Sequence, residues 1–181
     1  MLPAMSHAIS LPGLKAFLAT PEPPSLGPEP RVGVQPLASL QRALDVSAAG
    51  QPLIRALVLL WHDHFDTAHA LCQEIETPDG GWVHGILHRR EPDYANAKYW
   101  FHRVGRHAAF PELSRRTGAL LTAGDQPALD KIITNGVWDP FALVDGCEQA
   151  TLHHETERIH LLRQIQAAEF SVLLEHLCTA S

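Results

Sequence analysis

A chain of 181 residues, 45% hydrophobic and 19% charged, is long enough to bury one sizeable core. Its net charge is −6, summing to zero over residues 1–50, −1 over 51–110 and −5 over 111–181. This acidic balance argues against general nucleic-acid binding, which needs a basic footprint.

The longest apolar run, Ala56–Trp61, is far too short to cross a bilayer. No charged n-region followed by a long apolar run opens the chain, so a cytoplasmic, reducing setting is expected. Three widely spaced cysteines, Cys72, Cys147 and Cys178, make neither a disulfide framework nor a Cys-x-x-Cys motif.

Residues 1–40 hold eight of the fourteen prolines, with Pro-Glu-Pro-Pro at 21–24 and Pro-Glu-Pro at 28–30. Proline removes backbone donors and disfavours helix in the residue before it. Residues 1–36 are therefore expected to form a flexible arm, with a short helix around Leu14–Thr20. The same composition suits a ligand for a partner protein.

Residues 37–181 are expected to form a single domain. A first helix is predicted over Leu37–Ala48. Helix A follows from Pro52, a residue favoured in a first helical turn, to Trp61. The turn His62–Phe65 leads to Asp66, an N-cap for helix B over Thr67–Ile75. Thr77-Pro78-Asp79-Gly80-Gly81 reads as a loop. Helix A′ spans Trp82–Arg90 and breaks at Glu91-Pro92. Asp93 or Asn96 then caps helix B′, which ends near Gly105.

Pro111–Ala123, closed by Gly124, and Pro127–Thr134, followed by an Asn135-Gly136 turn, read as further helices. Asp139-Pro140 starts another through Val144. From Glu148 to Cys178 there is no Gly or Pro, which predicts one long helix. Its apolar stripe includes Leu152, Ile159, Leu162, Ile165, Val172, Leu173 and Leu177. That stripe is wide enough to cross several helices, or to pair with a second copy as a homodimer. No strand alternation is visible, so the fold class is all-α: tandem helical hairpins closed by flanking helices and a long C-terminal helix.

Within Leu53–Arg106 one helix–turn–helix pattern is written twice, 29 residues apart. Ala68, Leu71, Cys72 and Ile75 reappear as Ala97, Trp100, Phe101 and Val104. Leu53, Leu57, Val58 and Phe65 map onto Trp82, Ile86, Leu87 and Tyr94. A fixed-period helical repeat buries its apolar face on its neighbour. Cys72, on that stripe, is expected to be a small buried hydrophobe.

The paired helices, with an Ala near the start of each B helix, resemble tetratricopeptide-type units, although the period is shorter. More specifically, Asp79-Gly80 through Gly105, with the run Val-His-Gly-Ile-Leu-His-Arg-Arg-Glu-Pro-Asp-Tyr-Ala-Asn-Ala-Lys-Tyr-Trp, resembles a group of uncharacterised microbial proteins. Trp61-His62-Asp63-His64 and Ala68-His69 belong to the same similarity, which covers Leu53–Pro111, about a third of the chain. It implies no assigned activity.

Seven of the twelve histidines lie between His62 and His107. His84 and His88, at i and i+4, share one helix face with Glu91 next along it. This suits two metal ligands and a third. The alternative is that both histidines satisfy backbone carbonyls at the border of the core. His153, Glu157 and His160 repeat the spacing on the predicted long helix, and Glu157-x-x-His160 has the order of di-metal carboxylate bundles, but no second copy exists. A solvated polar face is the simpler reading there.

Lys98, His102 and Arg106 recur every four residues beside an apolar stripe, with Arg89, Arg90 and Arg103 near in sequence. Such a row can hold a small anion or an acidic peptide, or can close ordinary ion pairs. His62-Asp63-His64 lies in a turn, where polarity alone explains it. Gly-x-Ser-x-Gly, His-Glu-x-x-His, Gly-Lys-Ser/Thr and Gly-x-Gly-x-x-Gly are all missing.

The leading expectation is a binding module. Its ligand face would carry His84, His88, Arg89, Arg90, Lys98 and His102, for a protein, peptide or small anionic ligand. The alternative is a metal-binding protein or metal-dependent enzyme using His84, His88 and Glu91. No catalytic residue can be named, a divalent metal is the one cofactor the pattern admits, and neither nucleic acid nor membrane is an expected partner.

Overall fold

The computed structural model describes residues 10–29, 31–120 and 131–179. Its elements run α1 (Leu11–Phe17), α2 (Leu37–Ser47), α3 (Pro52–Trp61), α4 (Phe65–Cys72), α5 (Pro78–Arg90), α6 (Tyr94–Val104) and α7 (Phe110–Ala119). There follow β1 (Ile133–Thr134), β2 (Val137–Trp138), α8 (Pro140–Leu152) and α9 (Thr156–Thr179). The class is all-α, with one small antiparallel hairpin among the described residues. No described helix is long and apolar enough to cross a membrane.

Local chemistry sets most helix ends. Pro52 opens α3 in the first-turn position that suits a residue without an N–H. Asp93 caps α6 by accepting from the Asn96 N–H at 3.2 Å, and Gly105 takes a φ of +60° at its end. The 29-residue offset holds at the inner boundaries, where α3 ends at Trp61 and α5 at Arg90 and α4 begins at Phe65 and α6 at Tyr94, but not at the outer ones, Pro52 against Pro78 and Cys72 against Val104. Leu57 and Ile86, Val58 and Leu87, Ala68 and Ala97, and Cys72 and Phe101 are all fully buried.

Several expectations need correcting. Thr77–Gly81 is no loop. The Thr77 Oγ1 accepts from the Gly80 N–H at 3.2 Å and Pro78 supplies the first turn, so α5 starts four residues before Trp82. Helix B starts at Phe65, with Asp66 inside its first turn rather than at the cap.

Ile133–Thr134 is a strand, not a helix end. Asn135 (φ 52°) and Gly136 (φ 78°) make the left-handed pair that closes a tight hairpin onto Val137–Trp138. The rest of the helix predicted over Pro127–Thr134, to residue 130, and the Gly124 stop lie outside the described residues. Finally, the long helix from Glu148 is broken at His153–Glu155, where His154 has a φ of 53°. No Gly or Pro marks this break. The chain turns because α9 folds back onto α8, and tertiary packing overrides helix propensity there.

Helix α5 lies at the centre, against α3, α4 and α6, and every residue from Gly80 to Arg90 is buried. Gly85 allows α6 to come close, since a Cβ there would stand 2.7 Å from the Phe101 ring. Helix α9 covers the other side, touching α1, α3, α7 and α8 through Leu162, Ile165, Phe170, Leu173 and Leu174. Its apolar stripe is thus covered within one chain. Cys72 and Cys147 are buried, which pushes their thiols up to about 12 and about 11 and leaves them as small hydrophobes.

The proline-rich segment, expected as a flexible arm, is laid onto this scaffold from residue 10. Leu14 and Leu26 enter the core. Prolines cannot donate, but their segment keeps its carbonyls, and buried donors from the helices use them. Gln166 donates to the carbonyls of Pro24 and Ser25 at 3.1 Å, Arg90 Nε to Ser25 at 3.0 Å, and Arg163 to Pro23 at 2.6 Å. The segment orders because it supplies acceptors that buried cations and amides would otherwise lack.

Candidate metal centre

Among the described residues, two groups of three side chains bring potential ligand atoms within 4.8 Å of one another: His69, His84 and His88, and Asp79, His107 and His176. The first group joins two helices. His84 and His88 lie one turn apart on α5, and α4, packed against α5, brings His69 across to them.

The His84 and His88 rings are parallel within 12° at 5.5 Å between centroids. The His69 ring stands edge-on to both, at 5.0 and 5.6 Å. Trp100 lies flat on His84 at 4.0 Å, fixing its ring plane. His84 is 1% exposed, and its buried Nδ1 has no hydrogen-bond partner. An orphaned buried nitrogen costs about 1–3 kcal/mol, and a bound cation is one way to give the ring a partner.

Glu91 does not join the cluster. Its Oε2 lies 3.0 Å from His88 Nδ1. With Nδ1–H donating to that carboxylate, His88 presents the lone pair of Nε2, the carboxylate–histidine arrangement that orients metal ligands. Burial and the neighbouring His69 and His88 lower the His84 pKa to about 4, and burial lowers that of His88 despite Glu91. Both rings are therefore neutral at pH 7, the form that coordinates metal.

Zinc–nitrogen bonds of about 2.1 Å in a tetrahedron place ligand atoms roughly 3.4 Å apart, so these three, within 4.8 Å of one another, need to close by at most about 1.4 Å. On its open side the cluster meets a cavity of about 400 Å³ lined by Asp66, His69, Ala70, Gln73, His88 and Glu91.

The second group is chemically different. The Ala109 N–H donates to His107 Nδ1 at 3.1 Å, so the proton of that neutral ring sits on Nε2, which donates to Asp79 Oδ1 at 2.8 Å. A metal on Nε2 would move the proton to Nδ1, where it would face the Ala109 N–H. His176 Nε2 lies 3.1 Å from the same Asp79 oxygen, and both histidines hold the Asp79 carboxyl below its usual range. This cluster reads as a shared carboxylate clasp joining α5, α9 and the turn before α7.

The other residues singled out in the sequence go elsewhere. Arg89 is fully buried and donates to both oxygens of Glu169, with Nη1 at 3.3 Å, and to Gln166 Oε1 at 3.2 Å. Burial works against its charge, but the Glu169 carboxylate outweighs that penalty. Arg90 reaches Asp63 at 2.6 Å and the carbonyls of Leu60 and Ser25, and burial brings its pKa down to about 10. Both guanidiniums face inward, away from the cluster's open side.

Lys98 pairs with Asp145, and His102 is exposed on α6. His153, Glu157 and His160 are exposed and divided by the α8–α9 turn, so they share no single helix face. His62-Asp63-His64 serves the arm: His62 bonds the Phe17 carbonyl at 2.8 Å and the Gln35 N–H at 3.1 Å, and His64 bonds the Gln35 carbonyl at 2.8 Å.

The member missed in the sequence is His69. Its one signal there was position: it follows Ala68, a core residue of the helix next to helix A′. Nothing matches the chain in comparisons with protein-family models, curated proteins and solved structures.

Proposed function

We propose that this protein binds a divalent transition metal through His69, His84 and His88, with one coordination position open to the adjoining cavity. The observation that carries the reading is the convergence of three imidazoles from α4 and α5, one of them holding a buried nitrogen without a partner. Three histidines with an open fourth position is the ligand set of catalytic zinc sites. Glu91 supports it by fixing the His88 tautomer.

A metal held there would polarise a water or substrate oxygen entering the 400 Å³ cavity, where the Asp66 carboxylate is placed to handle a proton. This favours the metal-binding alternative over the histidine–arginine ligand face, because Arg89 and Arg90 spend their donors inside the fold. We also read α3–α4 and α5–α6 as two copies of a 29-residue tetratricopeptide-like unit. Their matched inner boundaries and buried positions support this, and the centre would lie where the second helix of one copy meets the first helix of the next.

The test is elemental analysis of tag-free protein purified without chelator, with zinc titration of metal-stripped protein. About one metal per chain is expected, with loss of tight binding in His69→Ala, a half-buried position where folding is least at risk, and in His88→Ala. Absence of metal together with no saturable zinc uptake by folded protein would end the proposal.

A further inference from the structure

A second cavity, of about 820 Å³, lies between the end of α6, the start of α7, the β-hairpin and the start of α8. It is separate from the histidine cluster and has the size of a small-molecule site. Its walls are aromatic. Phe110 and Trp138 are nearly buried behind it, while Phe141 (36% exposed) and Val137 (67% exposed) present apolar surface at its rim. Flat aromatic and branched side chains left on one concave surface gain most from a planar apolar ligand.

The polar side of the cavity is cationic. Arg106 lines it, and among the described residues it alone of the arginines has neither an ion pair nor a hydrogen bond. His102 stands beside it in the lining. The acid in the lining, Asp139, is already engaged: its Oδ1 accepts from the Phe141 and Ala142 N–H groups, at 2.9 and 3.1 Å, at the N-terminus of α8. One free guanidinium suits a single carboxylate, through a paired hydrogen-bonding fork. A polyphosphate would demand more cations than the cavity offers.

We propose that this cavity binds a small aromatic carboxylate, its ring between Phe110, Trp138 and Phe141 and its carboxylate on Arg106. The site stands independently of the metal centre.

The test titrates isotope-labelled full-length protein with 2-naphthoate and, separately, with neutral 2-naphthamide, following backbone amide shifts. Saturable shifts are expected at Gly105, Gly136 and Phe141, with a dissociation constant for the acid of about a millimolar or tighter, given ligand efficiencies for molecules of this size. Arg106→Gln, on an exposed side chain, is expected to weaken the acid about 5–10-fold and the amide less than about 2-fold. Val137→Glu, at the exposed rim, should weaken the acid by repulsion. The same pattern is expected in metal-stripped and zinc-loaded protein. No saturable shift with the acid, shifts confined to another face, or an Arg106→Gln effect equal for acid and amide would overturn the proposal.

Discussion

Glu169→Gln is the sharpest test of where Arg89 points. Glu169 is fully buried and accepts from Arg89 on both carboxylate oxygens and from Trp82 Nε1 at 3.0 Å. Glutamine has nearly the same shape but offers one acceptor oxygen and turns an NH₂ toward donors. The substitution leaves a fully buried guanidinium without its counter-charge. Breaking a buried pair by removing one partner costs about 3–5 kcal/mol. For a chain of this size each kcal/mol lowers the melting temperature by roughly 2–4 °C, so a fall of roughly 6–20 °C is expected.

Urea unfolding followed by circular dichroism measures this directly, with an unchanged slope showing that the unfolded state is the same. The double variant Arg89→Met/Glu169→Met should regain only part of the loss, since an apolar pair of similar volume needs no counter-ion but takes a partner from Trp82 Nε1 and from Gln166 Oε1. A loss below about 1 kcal/mol in Glu169→Gln would rule out Glu169 as the counter-charge of Arg89. It would mean that the Arg89 charge is satisfied from outside, as a ligand-facing arginine would be.

Glu91→Ala is expected to lower zinc affinity about 10–100-fold with little change in unfolding free energy, because the carboxylate orients His88 without ligating; calorimetric titration reads it. Gly85→Ala should destabilise by about 1–3 kcal/mol in thermal unfolding, since its methyl group meets the buried Phe101 ring at 2.7 Å. Glu175 is bridged to Arg116 and Lys15, and the Arg116 guanidinium chiefly holds its pKa near 2 in place of the ordinary 4.5. Its contribution is present above pH 4.5 and fades as pH falls toward 2. Glu175→Gln should cost about 1 kcal/mol at neutral pH, after allowance for solvent screening of the half-buried pair, with the gap to wild type closing over that window.

Local sequence alone sets the helical class and the breaks at His62–His64 and Pro92. Each rests on chemistry within a few residues: apolar period, a proline at a first turn, a capping Asp93. It also determined that His84 and His88 share a face, because i and i+4 are adjacent on any helix. It misread Thr77–Gly81, where the composition of a turn conceals a cap and a first helical turn, and where Gly80 is needed because a Cβ there would strike the Ile75 carbonyl at 2.1 Å.

The break at His154 and the seating of the proline-rich segment were not visible locally. One depends on α9 returning across α8, the other on distant donors such as Gln166 and Arg90 finding its carbonyls. The same holds for the sites. Arg89 and Arg90 look like surface cations in a sequence, and only packing against Glu169 and Asp63, 80 residues downstream and 27 upstream, turns them inward. His69 carries no spacing that links it to His84. The side-by-side packing of α4 and α5 alone brings three imidazoles within reach of one another, because ligand geometry is a matter of distance in space and not of separation along the chain.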